Sequence, residues 1–431
     1  MPIDTMRPGP SRRQFLAGAA ASTIALAAAG SIGQAFGQAQ QLTFWSQLAG
    51  SKKVAGEKLE AAFKAAHPGI TLNSSLYAEP SQLNEKILTS INGNTAPDLF
   101  VQHWDYNLTY ASGDKMLELQ SALKGVDFAG LDPSLLAYGH INGGQYSIPL
   151  YGTSRGIGLN KKLVADAGLN PEVSPQNWAE LREWAKALTN RAESGLLQVA
   201  GFSLFHNDLE AWEVFTLFLQ GAGGTLLTAD NSAPSFAGPE GVKALTFLHE
   251  LLHTEKVTDL GFGLGPGGLA SPFNTGRAAM IIAGNYSTNN ALKAGIDVDV
   301  VPVPMENGGF TSLVDPFCFA IPAASPNKDA ALTFVETALS TEQQVAFALE
   351  SKNVPVLRAA QQDAAVQADP YLSKFVKTAG FAPATAPAIP AFSRMVTILA
   401  RAVQETLFNR LTAEQALKAA EQEITSILSR G

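Results

Sequence analysis

Residues 42–77 read LTFWSQLAGSKKVAGEKLEAAFKAAHPGITLNSSLY, and this stretch decides the fold. LTFW at 42–45 is a short apolar run that predicts a buried strand. Val54, Leu59 and Phe63 then recur at helical spacing. HPG ends the predicted helix, and ITLNSSLY alternates as a second strand. A strand, a helix and a second strand in this order predict a mostly parallel α/β sheet with crossover helices.

The same alternation continues along the chain. A helix is expected at 82–91, and NTAPDLFVQ at 94–102 reads as a turn into a third strand. Further helices are expected at 177–188, 211–220, 240–252 and from Asp329, and further strands at 278–283, 298–304 and 317–322. Internal repeats and low-complexity linkers are missing from the sequence. Two lobes that share several chain crossings fit this pattern better than two domains in a row.

Length and composition restrict the functional class. The chain has 431 residues, which is too long for one small core, so two lobes are expected. Hydrophobic residues make up 46% and charged residues 16%, as in soluble globular proteins. The net charge of −8 argues against binding to a phosphate backbone, so no nucleic-acid partner is expected.

The segment 1–39 reads as an export signal rather than as part of the fold. Arginines precede an Ala-rich apolar run, and Gly37 and Ala39 offer a small-x-small cleavage site. SRRQFL at 11–16 resembles the twin-arginine signal. The alternative is an uncleaved membrane anchor, but the apolar run is shorter than the ~20 residues that a span needs. Cys318 is the sole cysteine and lies far from this segment, so neither a lipid anchor nor an internal disulfide is expected. The sequence predicts a soluble periplasmic or secreted protein.

HELLH at 249–253 matches the HExxH pattern of zinc peptidases. His249 and His253 would share one helix face, and Glu250 would be the general base. The residues that follow, TEKVTD, lack the third ligand of the extended motif, although a remote acid could supply it. The competing interpretation is an amphipathic surface helix whose apolar stripe consists of leucines, with both histidines on its more polar side. We expect no bound metal and keep an exported zinc hydrolase as the alternative function.

Two glycine-containing motifs also suggest chemistry. GTSRG at 152–156 matches the G-x-S-x-G of serine hydrolases, in which the serine stands on a turn between a strand and a helix. The residues after Ser154 look extended, so a hinge or a ligand-contacting turn is the better interpretation. Gly263, Gly265 and Gly268 fit G-x-G-x-x-G, but no strand precedes them and Pro266 interrupts them, which favours a loop over a dinucleotide site.

Aromatic residues follow several predicted strands or begin helices. Trp45 ends the first strand, Trp104 and Asp105 follow the third, Trp212 begins a helix, and Tyr286 follows a later strand. Open α/β sheets bind ligands at the carboxyl ends of their strands. Aromatic faces stack on sugar rings, while carboxylates and amides bind the hydroxyl groups. Core packing is the alternative for each residue taken alone.

Beyond residue 39 the order of segments resembles the extracellular solute-binding proteins of the maltose-binding type, which serve ABC importers. The segments that carry the resemblance run over nearly the whole remaining chain: LTFW with FKAAHPGI, TAPDLFVQHWD, GGQYSIPLYGTSRGIGLNKKLVADAGL with SPQNWAEL, FAGPEGVKALTFL, FNTGRAAMIIAGNYS, FAIPAASPNKDAALTFVE and LTAEQALKAAEQEI. The resemblance implies a type II periplasmic binding protein fold, in which two α/β lobes close on a ligand about a hinge.

The resemblance also implies domain boundaries. In order along the chain they are an export signal at 1–39, lobe 1 at 40–150, a hinge at 151–155, lobe 2 at 156–298, a return to lobe 1 at 299–341, and C-terminal helices of lobe 2 at 342–431. The HELLH helix then becomes a surface helix of lobe 2.

Candidate ligand contacts are implied position by position. They are Ser46, Gln47, Gln102, Trp104, Asp105, Thr153, Arg155, Trp212, Glu213, Asn285, Tyr286, Asp315, Phe317 and Arg394. The chain departs from maltose-type sites because LAGS replaces an acidic residue after the first strand and Thr153 replaces the hinge acid. A monosaccharide, a short oligosaccharide or a polyol therefore fits better than a long maltodextrin. Arg155 and Arg394 leave room for a phosphorylated or sulfonated ligand, with surface ion pairs as the alternative role.

The resemblance implies a binding protein without catalytic residues or cofactors. Its expected partners are a carbohydrate-like ligand and an ABC transporter permease in the inner membrane, and a monomer is expected. A protein that reports its ligand to a receptor instead of a transporter would have the same sequence features.

Overall fold

The structure is a computed structural model that describes residues 40–110, 115–204, 208–262, 272–384 and 386–429. The predicted export segment 1–39 lies outside the described residues. The glycine motif with Gly263, Gly265 and Gly268 also lies outside them.

The strands are β1 Gln40–Ser46, β2 Ile70–Leu76, β3 Leu99–His103, β4 His140–Ile141, β5 Gly144–Gln145, β6 Ile148–Asn160, β7 Asn190–Arg191, β8 Leu197–Val199, β9 Met280–Ala283, β10 Val298–Val301, β11 Val303–Pro304, β12 Phe310–Thr311, β13 Leu313–Ala320 and β14 Val354–Pro355.

The α-helices are α1 Lys53–Ala66, α2 Pro80–Asn92, α3 Trp104–Tyr110, α4 Leu119–Ala122, α5 Pro133–Leu136, α6 Lys161–Asp166, α7 Trp178–Leu188, α8 Asp208–Gly221, α9 Pro239–His253, α10 Asn285–Lys293, α11 Lys328–Ala338, α12 Thr341–Ser351, α13 Arg358–Gln361, α14 Ala364–Ala368, α15 Leu372–Ala379, α16 Phe392–Leu407 and α17 Ala413–Leu428.

The helices and strands expected from periodicity are confirmed, with boundaries that differ by a few residues. In α1, Leu59 and Phe63 are buried, but Val54 is 46% exposed and is not part of the apolar face. Pro80 and Pro239 occupy the first position of α2 and α9, where a missing N–H costs no hydrogen bond.

The main sheet has the strand order β10-β6-β13-β3-β1-β2, with β9 and β14 also paired to β6. β1 pairs in parallel with both β2 and β3, as the strand–helix–strand pattern predicts. The strands that join later in the chain, β6 and β13, are antiparallel to their neighbours, so the complete sheet is mixed.

The 13-residue strand β6 belongs to two groups of strands. Its first half pairs with β13 and β14, and its second half, from Gly156 onward, pairs with β9 and β10. β13 in turn pairs with β3. The residues around Arg155 therefore lie where the two groups meet, and this position determines what the functional site can contain.

Buried side chains form one large core and one small core. The large core includes a cluster of phenylalanines in which the ring centroid of Phe334 lies 4.9 Å from that of Phe44 and 4.8 Å from that of Phe63. Such clusters bury large apolar areas and dominate core stability. Trp45 belongs to the small core and packs against Tyr77, with its ring centroids 5.8 Å away. Among the described residues no helix is long and apolar enough to cross a membrane.

Candidate functional site

A histidine lies at the centre of the candidate site. His103 ends β3, and its ring lies between two carboxylates: Nδ1 is 2.5 Å from Oδ1 of Asp105, and Nε2 is 2.6 Å from Oδ1 of Asp315. Asp105 is in the first turn of α3, where its Oδ1 also accepts the backbone N–H of Tyr106 at 2.8 Å. The strand end thus brings a carboxylate from α3 and one from β13 to the same ring.

Asp315 connects this histidine to the rest of the site. Its Oδ1 accepts the indole N–H of Trp104 at 2.8 Å, and its Oδ2 lies 3.4 Å from Nη2 of Arg155. Arg155 donates through Nε and Nη2 to both oxygens of Glu213, at 2.8 and 2.9 Å. This planar, bidentate pair is the strongest arrangement that arginine forms with a carboxylate.

These five charged residues, His103, Asp105, Arg155, Glu213 and Asp315, are called the polar network below. They come from β3, α3, β6, α8 and β13, so the network joins the first group of strands to two helices, and Arg155 is its member at the point where β6 changes partners. Their side chains are between 11% and 22% exposed, so they are largely buried but still reachable from solvent.

The backbone around Arg155 leaves little room for other orientations of its guanidinium. Nη1 donates to Oγ1 of Thr153 at 2.9 Å. On the other side lies Gly284, immediately before α10, where an added Cβ would stand 2.5 Å from Nη1. A side chain at position 284 would therefore displace the guanidinium.

Aromatic rings cover one side of the network. Phe317 lies against His103 in an edge-on contact with centroids 5.3 Å apart, and it stacks on Tyr151 at 4.9 Å. The ammonium of Lys52 lies 4.7 Å from the centroid of Phe317. A cation over an aromatic face is attracted by the ring quadrupole.

A second group of rings covers the other side. Trp104 contacts Tyr138 and Phe392, each with centroids 4.4 Å apart, and Phe392 meets Trp212 edge-on at 5.3 Å. Trp104 is only 1% exposed. Its indole therefore packs in the core and orients Asp315.

The electrostatic surroundings shift the pKa values of His103 and Asp315 in the network and of the neighbouring Lys52. Burial lowers the pKa of His103, but the charges of Asp315 and Asp105 and their hydrogen bonds outweigh it and raise the pKa well above its usual value. Burial alone would raise the pKa of Asp315, whereas His103 and then Arg155 hold that pKa far below its usual range. Burial lowers the pKa of Lys52, and Asp315 partly offsets this. The favoured state has an imidazolium between two carboxylates.

A cavity of about 730 Å³ lies beyond the second group of rings, and its size is within the range of small-molecule pockets. Tyr138, Trp212, Thr216 and Gln220 contribute to its wall, together with mainly apolar residues from 223–231, 305–314 and 381–387. None of the five members of the polar network lines this cavity.

Many of the ligand contacts expected from the sequence lie together. The polar network contains Asp105, Arg155, Glu213 and Asp315, and direct contacts to it are made by Gln47, Trp104, Thr153 and Phe317. Gln47 contributes through its side-chain oxygen, which accepts the backbone N–H of His103 at 3.2 Å. The ring of Trp212 meets Phe392, which in turn packs against Trp104.

Five other expected contacts lie elsewhere or have different roles. Gln102 is fully buried and donates to Asn107, because side chains alternate along β3 and His103 points to the opposite face. Ser46 is buried at the end of β1, and Asn285 accepts the backbone N–H of Ser154 at 3.2 Å. Tyr286 is 60% exposed at the start of α10. Arg394 is on the exposed side of α16, outside the network.

Four residues at the site were not among the contacts expected from the sequence: His103, Lys52, Tyr138 and Phe392. For His103 a signal was present, because it stands between two selected residues in VQHWD, where β3 ends. For Phe392 and Tyr138 no local signal existed, because they meet Trp104 from segments that are distant in the sequence.

HELLH lies in α9, and its polar side chains bond to residues of other segments. Nε2 of His249 lies 2.6 Å from Oδ1 of Asn409, and Nε2 of His253 lies 2.8 Å from the carbonyl oxygen of Leu407. Glu250 pairs with Arg182 at 2.6 Å. The expected leucine stripe is buried. Within the part of the chain that the structure describes, no group of three or more metal-binding His, Cys, Asp or Glu side chains occurs.

GTSRG lies within the extended strand β6, as the sequence indicated. Ser154 is fully buried, and its hydroxyl donates to the carbonyl oxygen of Phe375 at 2.9 Å. The strand continues to Asn160, so the turn into a helix that a nucleophilic serine requires does not follow it.

Comparison with known proteins places this fold and site in context. The family model for bacterial extracellular solute-binding proteins matches residues 58–374. A mannitol-binding protein of Pseudomonas aeruginosa is 26% identical over 421 residues, covering 87% of this chain and 90% of that protein. A probable amino-acid ABC transporter periplasmic-binding protein of Sinorhizobium fredii is 25% identical over 256 residues, with 56% of this chain and 57% of that protein covered. The chain thus matches little more than half the length of this last relative.

A solved structure shows the same fold. The cyclic α-maltosyl-1,6-maltose binding protein of Arthrobacter globiformis superimposes with a TM-score of 0.80 at 22% identity, over 91% of this chain and 99% of that protein. The likeness confirms the expected fold of two α/β lobes. Since the family model matches well over half of the residues, the chain belongs to the bacterial extracellular solute-binding proteins.

Proposed function

We propose that this protein captures a neutral, polyhydroxylated solute (a polyol, a monosaccharide or a short oligosaccharide) at the polar network and delivers it to an ABC transporter permease. The observation that carries the proposal is the balance of charges in the network. Its three carboxylates face Arg155, an imidazolium at His103 and, beside them, Lys52.

Together with Lys52, the network has three positive and three negative charges, and this balance favours a ligand without net charge. The guanidinium of Arg155 already binds both oxygens of Glu213, so a phosphate or sulfonate could use it only by breaking that bidentate pair. Arg394, the other arginine considered for an anionic ligand, lies on an exposed helix face outside the network. A neutral ligand leaves the existing pairs intact.

The network has unused carboxylate acceptor positions, and the hydroxyl groups of a ligand can donate to them. Carboxylates accept hydrogen bonds at up to about four positions, and charged acceptors bind hydroxyl groups more strongly than neutral ones. Among the described residues, no hydrogen bond uses Oδ2 of Asp105, and this side chain is 18% exposed. The similarity to a mannitol-binding protein supports a polyol as one member of the ligand class.

We propose that the two lobes divide where β6 changes partners. The first half of β6 and β13 then belong with β1–β3, and the second half belongs with β9 and β10. We therefore propose that the chain returns to lobe 1 between Val301 and Leu313, slightly later than the boundary at 298/299 that the resemblance implies. Arg155 and Glu213 would join the hinge strand to α8, so hinge closure would complete the network around a ligand. We also propose export to the periplasm through segment 1–39, and binding without catalysis.

The experiment is a thermal-shift screen of the purified protein with D-mannitol, D-glucose, maltose, glucose 6-phosphate, L-glutamate and L-arginine. A ligand at about 100 times its Kd stabilises the native state by about 2.7 kcal/mol, so its effect on Tm is measurable. We expect a shift with at least one neutral compound and none with the charged ones. A shift with L-glutamate, L-arginine or glucose 6-phosphate alone, or with none of the six, would contradict the proposal.

The screen needs two variants that show whether the ligand binds at the network or in the neighbouring cavity. Asp105→Asn removes a charged acceptor at the network and should abolish the shift. Thr216→Val is the control, because it alters the cavity wall at constant volume and leaves the network unchanged. Equal losses in the two variants would place the ligand elsewhere.

A further inference from the structure

His103 has carboxylate oxygens at hydrogen-bond distance from both ring nitrogens, at 2.5 Å for Asp105 and 2.6 Å for Asp315. A neutral imidazole carries one N–H donor and one lone pair, so it can serve only one of these carboxylates and must face the other with its lone pair. Only an imidazolium donates to both. With both carboxyl groups ionised, the geometry therefore requires a positive charge at position 103.

The other groups around the His103 ring are compatible with a positive charge on the imidazolium. From α3, Tyr106 presents its ring edge-on at 6.4 Å, and from β13 Phe317 does the same at 5.3 Å. The nearby cations are Arg155, bound to Glu213, and Lys52, whose ammonium lies over Phe317. Burial disfavours the imidazolium, but the adjacent Asp315 and Asp105 outweigh burial and raise the pKa of His103.

The same hydrogen bonds fix the orientation of the two carboxylates. Oδ1 of Asp105 is shared between His103 and the N–H of Tyr106, and Oδ1 of Asp315 is shared between His103 and the indole of Trp104. With both Oδ1 atoms held, the Oδ2 atom of Asp105 has a defined direction. Preorganised acceptors bind a ligand more tightly, because less side-chain entropy is lost on binding.

We propose that His103 is the positioning residue of the binding site: as an imidazolium it cross-links Asp105 and Asp315, holds them in the orientation that accepts ligand hydroxyl groups, and makes ligand binding weaken at alkaline pH. This inference rests on the proposed function for its ligand, but the fixed charge of His103 can be tested without any ligand.

The direction of the pH dependence follows from linkage. The pKa of His103 is higher in the folded protein than its value of about 6.5 in the unfolded chain. Its contribution to stability is therefore complete below about pH 6.5 and is lost as the pH rises through the folded pKa. Ligand affinity follows the same direction, because deprotonation leaves one carboxylate facing a lone pair.

The ligand-free test compares urea unfolding of the wild type, His103→Gln and His67→Gln between about pH 6 and pH 10. The His103→Gln substitution preserves a side chain that can form hydrogen bonds but removes the positive charge. His67 is the matched control because its Nε2 bonds to a neutral partner, Oγ1 of Thr337, at 3.1 Å. The stability difference between wild type and His103→Gln should shrink as the pH rises, whereas the difference for His67→Gln should not. A pH-independent difference for His103→Gln would overturn the inference.

A measurement on the wild type alone covers the case in which His103→Gln does not fold. The chain has six histidines, whose ring carbon NMR signals report their protonation. One signal should keep its imidazolium position at pH values well above about 6.5, the pKa of an unperturbed histidine in a peptide. Titration of all six near the usual pKa would overturn the inference.

The ligand test uses calorimetry with D-mannitol. At neutral pH, His103→Gln should lose about tenfold or more in affinity, with little remaining pH dependence. His103→Lys, which keeps a positive charge, should recover part of the affinity and retain it at alkaline pH. Equal affinities and equal pH profiles for wild type and His103→Gln would overturn the positioning role. Absence of D-mannitol binding to the wild type, together with the expected urea result, would contradict the proposed function for this polyol and support the fixed charge.

Discussion

At the scale of single residues, the arrangement of charges determines what this site can bind. Arg155 and Glu213 form a bidentate pair, and His103 joins two carboxylates, so each charge has an opposite partner close by. Such buried groups are costly to desolvate and retain their charge only when they are paired. The side chains that carry the proposed function are thus the same ones that hold β3, β6, α8 and β13 together.

Arg155→Lys tests this double role. Lysine keeps the charge but cannot reproduce the planar fork to Glu213, so we expect at least a tenfold loss in affinity for the ligand found in the screen. Stability should fall by about 1–3 kcal/mol, since a charge-assisted pair in a largely buried site is weakened. Urea unfolding measures the change in stability, and calorimetry measures the change in ligand affinity.

Arg182→Lys is the matched control, because Arg182 also bridges two carboxylates, Glu250 and Glu255, but on the surface at 28% exposure. Exposed pairs contribute at most about 1 kcal/mol, and this pair lies outside the network. We expect unchanged affinity and little change in stability. Equal effects of Arg155→Lys and Arg182→Lys would refute a special role for Arg155.

At the scale of elements, the sequence predicts most of the fold because the signals are local. The spacing of apolar residues predicts α1, α7, α8 and α9, and proline and glycine residues mark helix ends. The second half of β6 was expected to be extended from RGIGLN, the residues after Ser154. The antiparallel attachment of β13 could not be predicted, because it depends on pairing with β3 and β6, more than a hundred residues away.

The site was predictable only in part, because several of its contacts join residues that are distant in the sequence. Strand ends identified Asp105 and Trp104, and the resemblance added Arg155, Glu213 and Asp315. The bond between His103 and Asp315 joins residues 212 positions apart, so no local pattern contains it. For Trp104 the sequence left sugar stacking and core packing open, and the structure buries its ring against Tyr138 and Phe392, in agreement with core packing.

The HELLH helix α9 offers a prediction at this scale. We expect purified protein to contain no stoichiometric zinc by elemental analysis and EDTA to leave Tm unchanged, since His249 and His253 bond to Asn409 and Leu407. His253→Ala should cost about 1 kcal/mol, the contribution of one hydrogen bond, whereas Leu248→Ala should cost about 2–5 kcal/mol because it opens a cavity in the core. One zinc per chain that disappears in His249→Ala would restore the hydrolase alternative.

At the scale of the whole molecule, membership of the solute-binding family connects the site to a function. In the proposed division the two lobes share strand β6 and close on a ligand, and α8 then brings Glu213 to network members from β3, α3, β6 and β13. The relatives bind different solutes, by their names a polyol in one case and an amino acid in another. The ligand class therefore has to follow from the site itself, whose charges are balanced and whose remaining acceptors suit hydroxyl groups.

The most direct test of this account is a crystal structure of the protein with the neutral compound that gives the largest thermal shift, D-mannitol being the first choice. We expect the ligand between the lobes, with a hydroxyl group about 2.6–3.0 Å from Oδ2 of Asp105 and with the Arg155–Glu213 pair intact. A ligand bound in the 730 Å³ cavity beyond Trp212, or one that displaces Glu213 from Arg155, would contradict the central claim.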